Sequence, residues 1–254
     1  MKKLLKSTLL LLLALFPLAA SAQQDDKGNF FTQEQMPDLL VFLPAPPDTL
    51  SPAFTYDISQ YFWGKKMRLD PVRARMAAED TDWTAEYILK ILSPAFGLKI
   101  SKEDTPEIWE LMIRAINTAD EITALPKKHY MRKRPFDRFN EPTLVPSHDA
   151  DLRKNGSYPS GHTVRGWSGA LLLAEINPDH AAEILARGYA YGQSRVIVGA
   201  HWQSDVDAGR LAASASVAHL HSHPLFLLHL QRAKDEFARL TGKTPAPHQK
   251  IHRR

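Results

Sequence analysis

A chain of 254 residues with 44% hydrophobic content and no cysteine can bury one sizeable core, and it must do so without disulfides. Its 32 basic side chains barely exceed its 28 acidic ones, so no long run of positive charge calls for nucleic acid or an anionic membrane surface. No stretch beyond the N-terminal leader has the unbroken apolar length of a membrane span.

The leader comes first. Lys2, Lys3 and Lys6 precede an apolar run over Leu9–Leu18, and Ala20-Ser21-Ala22 supplies small residues for a signal peptidase. This pattern predicts cleavage after Ala22 and export to the periplasm or the medium. The run is short for a retained anchor, and there is no cysteine to carry a lipid, so the mature chain is expected to have no membrane attachment. Losing three lysines lowers the formal charge from +4 to about +1.

Residues 23–50 read as an extended entry segment, because Pro44, Pro46 and Pro47 disfavour helix. Helical punctuation follows. Ser51-Pro52, Asp70-Pro71 and Thr105-Pro106 each place a capping side chain before a proline at the first helical position. Ile108, Leu111, Met112, Ala115, Ile116 and Ala119 recur every three or four residues, the mark of an amphipathic helix. Further helices are expected from about Thr163 to Ile176, from 179 to 198, from Ser204 to about Leu220 and from Leu225 to Leu240. Val196-Ile197-Val198 is the one compact β-branched run, and it fits the end of a buried helix equally well. Residues 136–157 read as a surface loop and 241–254 as a flexible basic tail. The expected fold is all-α, a single helical domain over 51–240.

Three blocks carry the chemistry. The first is Lys127 followed by Arg134-Pro135, the second is Pro159-Ser160-Gly161-His162, and the third is Ser194-Arg195 followed by His201 and Asp205. Lys127 and Arg134 would share a face if helical. Together they offer a point charge and a bidentate fork, the pair a phosphoryl oxyanion requires. Gly161 lets the backbone approach a ligand, Ser160 offers a hydroxyl, and the free N–H groups of the helix that follows make an anion site. His201 and Asp205 would face each other across one helical turn. The carboxylate would fix the imidazole tautomer and leave a lone pair for attack. Taken singly, each block has an ordinary explanation as a solvated basic face, a capping turn or a structural His–Asp pair. Jointly they do not, since eleven fixed positions coincide by chance roughly once in 10^14 trials at ~5% usage per residue.

The three blocks resemble the signature of the type 2 phosphatidic acid phosphatase and vanadium haloperoxidase superfamily. The longer strings His129-Tyr130-Met131-Arg132, Gly156-Ser157-Tyr158 and Trp202-Gln203-Ser204-Asp205-Val206-Asp207 are most similar to its bacterial class A non-specific acid phosphatases, over about Leu43 to Leu240. The resemblance implies an all-α bundle of the acid phosphatase and haloperoxidase type. It also implies export, no cofactor or required metal, a homodimer or larger assembly, and activity on many phosphate monoesters including nucleotides. By position it makes His201 the nucleophile, Asp205 its orienting partner and His162 the general acid, with phosphate held by Lys127, Arg134, Ser160, Gly161 and Arg195. The sequence departs from the family around Asp82-Trp83-Thr84-Ala85-Glu86-Tyr87, a segment that bears on substrate preference if it meets the leaving group.

Three other functions share part of this pattern. A vanadium haloperoxidase would use the same cage, but the longer strings favour the phosphatase. A membrane lipid phosphatase would need several spans. A periplasmic phosphate- or nucleotide-binding protein would need the cations without the His162 and His201–Asp205 pair. His219, His221 and His223 read as a polar helix end rather than a metal site. Trp63, Trp83, Trp109 and Trp167 read as core.

Overall fold

The computed structural model describes residues 28–243; the leader with its cleavage site, and the tail beyond Lys243, lie outside the described residues. After a 3-10 turn at Gln33–Gln35 the chain forms α1 (Leu39–Phe42), α2 (Pro52–Met67), α3 (Pro71–Glu79), α4 (Ala85–Phe96) and α5 (Pro106–Asp120). It continues through α6 (Ala124–Tyr130), α7 (Pro135–Arg138), α8 (Asp149–Leu152) and α9 (Gly161–Ile176). The last three helices among the described residues are α10 (Ala181–Val198), α11 (Gln203–Leu220) and α12 (Pro224–Thr241). No strand occurs among the described residues, so the fold is all-α, and Val196-Ile197-Val198 ends a buried helix.

The proline-marked starts form for the expected reasons. Ser51 Oγ accepts from Phe54 N and Asp70 Oδ1 from Val72 N, satisfying N–H groups that a helix start leaves open. Thr105 behaves differently. Its hydroxyl is committed to Ser101, donating to the carbonyl at 3.1 Å and accepting from the N–H at 3.0 Å. The cap of α5 comes instead from the far end of the chain, where buried Glu236 on α12 accepts from Ile108 N at 2.9 Å.

The amphipathic stripe of α5 is buried as its spacing requires, with Ile108, Leu111, Met112, Ala115, Ile116 and Ala119 all at 0% exposure. Each large apolar side chain among them contributes about 1.5–3 kcal/mol. α9 is the central helix and packs on α4, α5, α10 and α11. Its approach to α10 depends on Gly166, where an added Cβ would sit 2.2 Å from Tyr191 Cδ1.

Three regions differ from the sequence reading. The entry segment is tied down: Arg114 Nε donates to Gly28 O, Phe30 N to Thr118 Oγ1, and Tyr158 OH to Pro44 O. Residues 136–157 contain α8 and part of α7 and bury Phe136, Thr143, Asp149 and Ser157, because their polar backbone is used by the site described below. Trp63 is 38% exposed and Trp83 54%, so neither is core. His219 stacks on Phe31 at 4.2 Å and His221 reaches Glu175 Oε2 at 3.1 Å, both as polar helix-end contacts.

Candidate active site

α6 delivers Lys127 and then stops, because Met131 takes a left-handed conformation with φ 39°. Arg134 lies beyond that break as the extended residue before Pro135. Lys127 and Arg134 therefore do not share a helical face, as their spacing suggested. The turn brings them to a common acceptor, Gly156 O, at 3.1 Å from Lys127 Nζ and 3.4 Å from Arg134 Nη2. Arg134 is 4% exposed. It also donates to Leu152 O, Ala200 O and Asn155 Oδ1, so residues 152–156 act as its mould.

The Pro-Ser-Gly-His block opens α9 two residues earlier than expected. Ser160 is the N-cap: its Oγ accepts from Thr163 N at 3.3 Å and Thr163 Oγ1 at 3.0 Å. It is fully buried, and both of these bonds engage its Oγ as the acceptor at the helix end. Its backbone N–H donates to Asp205 O at 3.0 Å, which fixes α9 to α11. Gly161 and His162 do line the cavity, and a Cβ at Gly161 would lie 2.8 Å from Asp120 Oδ1. His162 Nε2 lies 3.0 Å from Thr81 O. A carbonyl only accepts, so this nitrogen carries the proton and Nδ1 is free to exchange one.

His201 follows α10 after the left-handed Gly199, and its N–H donates to Arg195 O at 3.3 Å. It precedes α11, so its relation to Asp205 is that of a helix cap and not of one helical turn. Asp205 Oδ2 accepts from Trp202 N at 2.9 Å and faces His201 Nδ1 at 3.3 Å. On the other side of the ring, Arg134 Nη1 lies 3.0 Å from Nε2. A guanidinium only donates, so Nε2 holds the lone pair and Nδ1 the proton.

A residue the sequence reading passed over supports this geometry. Arg132 Nη1 donates to Asp205 Oδ1 and to Ser204 Oγ at 2.8 Å, while Nη2 donates to Asp57 Oδ2 at 2.8 Å. Asp57 in turn accepts from Ser204 N and Oγ. Both carboxylates are fully buried. Asp57 carries no local signal: it is one acid on a helix 75 residues away.

These groups open into a cavity of about 850 Å³, lined by Lys127, Arg134, Gly161, His162, Arg195 and His201 at one end. Burial lowers the Lys127 pKa to about 7 and those of Arg134 and Arg195 to about 10; mutual repulsion adds to this at Lys127 and Arg134. Arg195 is 1% exposed, yet its Nε and Nη1 have no hydrogen-bond partner. Buried cations with uncommitted donors suit an anion. Burial also holds both histidines well below their usual value, with Arg195 next in effect at His162 and Arg134 at His201. Both influences favour the neutral form of each ring. Among the described residues, no three His, Asp or Glu side chains converge to hold a metal ion.

An all-helical domain that focuses three cations and two neutral histidines on one anion site defines a phosphoryl-handling enzyme, and residues 111–225 match the PAP2 superfamily. The non-specific acid phosphatase of Providencia stuartii is 47% identical over 212 residues, covering 83% of this chain and 85% of the relative. That of Salmonella typhimurium is 45% identical, covering 82% and 83%. The acid phosphatase of Zymomonas mobilis is 39% identical, covering 82% and 79%. The chain belongs to the non-specific acid phosphatases of the PAP2 superfamily.

Proposed function

We propose that this acid phosphatase hydrolyses a broad range of phosphate monoesters, nucleotides included, through a phosphohistidine on His201. The observation that carries this reading is the fixed tautomer of His201, whose Nε2 lone pair sits against Arg134 in the cationic end of the cavity. Nε2 attacks phosphorus, the N–P bond forms and the ester P–O bond breaks. Asp205 holds the Nδ1 proton and stabilises the imidazolium character that develops. His162 delivers a proton from Nδ1 to the departing oxygen, a contribution of about 10²–10⁴-fold. Neutral again, it takes a proton from the water that cleaves the N–P bond. Lys127, Arg134, Arg195 and the Gly161 N–H stabilise the equatorial oxygens, and Ser160 acts through the helix cap.

The lowered pKa of His162 arises from burial and cationic neighbours. A bound phosphate dianion offsets the cationic neighbours and so favours the protonated ring, by which the ester itself arms the general acid. The leader and the absence of cysteine support an exported, periplasmic enzyme, and family likeness supports a homo-oligomer. No described helix is long and apolar enough to cross a membrane.

Rapid-quench labelling tests the roles. The parent enzyme and His162→Ala are expected to form an acid-labile, base-stable phosphoenzyme, which accumulates in His162→Ala. His162→Ala is also expected to lose far more phosphorylation rate on glycerol phosphate than on p-nitrophenyl phosphate, whose leaving group departs without a proton. A phosphoenzyme in His201→Ala, or equal losses on both esters, overturns the assignment.

A further inference from the structure

The cavity is much larger than a phosphate group, within the range that holds drug-sized ligands, and its second wall carries an exposed indole. Trp83 lines the cavity with 54% of its surface open, in a protein whose other large aromatic rings near the site, Phe136 and Tyr191, are buried. Leaving a side chain of this size in water sacrifices burial that a ligand can restore.

The segment that presents it is held at each residue in turn. Thr81 O bonds His162 Nε2 at 3.0 Å, Asp82 O accepts from Tyr191 OH at 2.8 Å, and Trp83 O accepts from Arg165 Nε at 2.7 Å. Asp82 Oδ1 also accepts from Thr84 N and Oγ1, closing a turn that leads into α4. The indole therefore stands on rigid backbone. The Arg165 guanidinium lies over it, 5.0 Å from the ring, and is itself fixed by Asn117 Oδ1 at 2.7 Å. The indole centre is 6.4 Å from the His162 ring, with the two planes 32° apart. The indole therefore lies within reach of a group attached to the ester oxygen that His162 protonates.

We propose that Trp83, braced by Arg165, is the leaving-group platform and selects phosphate monoesters whose alcohol carries a planar aromatic ring. The inference rests on the phosphatase reading and names the substrate preference of that same cavity. The shared chemistry is a π-face, which either the base of a nucleoside 5′-phosphate or the ring of an aryl phosphate supplies.

The test measures kcat/KM of the full chain and of Trp83→Leu and Trp83→Phe on adenosine 5′-phosphate, phenyl phosphate and glycerol phosphate. In Trp83→Leu the preference for adenosine 5′-phosphate over glycerol phosphate is expected to fall about tenfold, the scale of one lost stacked ring, and Trp83→Phe is expected to regain most of it. A parallel fall for phenyl phosphate places the platform within reach of a ring on the ester oxygen itself. A fall for the nucleotide alone places it one sugar away. A general loss of structure lowers all three esters together and leaves the ratios intact. Ratios within twofold of the parent overturn the proposal while the phosphatase reading stands. If the parent turns over none of the three esters, that reading has failed. Quenching of tryptophan fluorescence by adenosine then decides the platform: it must occur in the parent and be lost in Trp83→Leu, and its absence in the parent overturns the proposal.

Discussion

Replacing Asp205 by Asn changes no volume and removes one charge, so its effect can be worked from contacts. In the parent, both carboxylate oxygens accept: Oδ1 from Arg132, and Oδ2 from Trp202 N and His201 Nδ1. An amide has one oxygen and one NH₂, and each orientation sets a donor against a donor. With the NH₂ toward Arg132, Nη1 keeps Ser204 Oγ but faces a donor where it had a carboxylate oxygen. With the NH₂ toward His201, Nδ1 must accept and the proton moves to Nε2, where it meets Arg134 Nη1 and removes the lone pair. A wrong-tautomer change of this kind lowers kcat about 10⁴-fold. Breaking one partner of a buried ion pair costs about 3–5 kcal/mol, although the Asp57 contact that remains on Arg132 sets the expectation at the low end. For a domain of this size ~3 kcal/mol lowers Tm by roughly 6–12 °C. Single-turnover phosphorylation by phenyl phosphate and a thermal melt followed by circular dichroism measure the two effects. A rate loss below tenfold with the fold intact would falsify the tautomer argument.

Other expectations follow from the same geometry. Lys127 must be cationic to hold phosphate and its pKa is lowered to about 7, so kcat/KM is expected to fall as pH rises through about 7. In Lys127→Arg that limb moves to higher pH, because a guanidinium keeps its charge; a limb unmoved in pH–rate profiles contradicts this. Ser160→Ala removes the cap of α9, about 1 kcal/mol, and is expected to lower Tm by roughly 2–4 °C. A rise in KM with an unchanged Tm would instead place the hydroxyl on the substrate. Turnover is expected to survive EDTA, since the phosphate end of the cavity already offers three cationic side chains; complete loss restored by a divalent ion contradicts that.

What the sequence made legible was whatever depends on near neighbours. Proline at the first helical position marked α2, α3 and α5, and the apolar spacing of α5 marked its buried face. The candidate site residues were legible because phosphoryl chemistry restricts them to few types. What was hidden depends on backbone acceptors and distant partners. The spacing of Lys127 and Arg134 pointed to a helix, whereas a left-handed Met131 and the carbonyl of Gly156 bring them together. The tetrapeptide offers the hydroxyl of Ser160 to a ligand, and only the fold shows the helix end bonding the same oxygen. Trp83 reads as core by composition, and only the three carbonyl bonds of its loop show why it stands open.

The Glu236 bond to Ile108 N bears on how the molecule comes into being. α5 leaves the ribosome 128 residues before its cap exists, which at typical elongation rates is on the order of ten seconds. Until α12 docks, the start of α5 lacks an acceptor and its apolar stripe lacks one of its walls. The same helix carries Asn117 and Asp120 into the cavity. The end of α5 opposite the phosphate site is therefore completed only by α12, the last of the described helices.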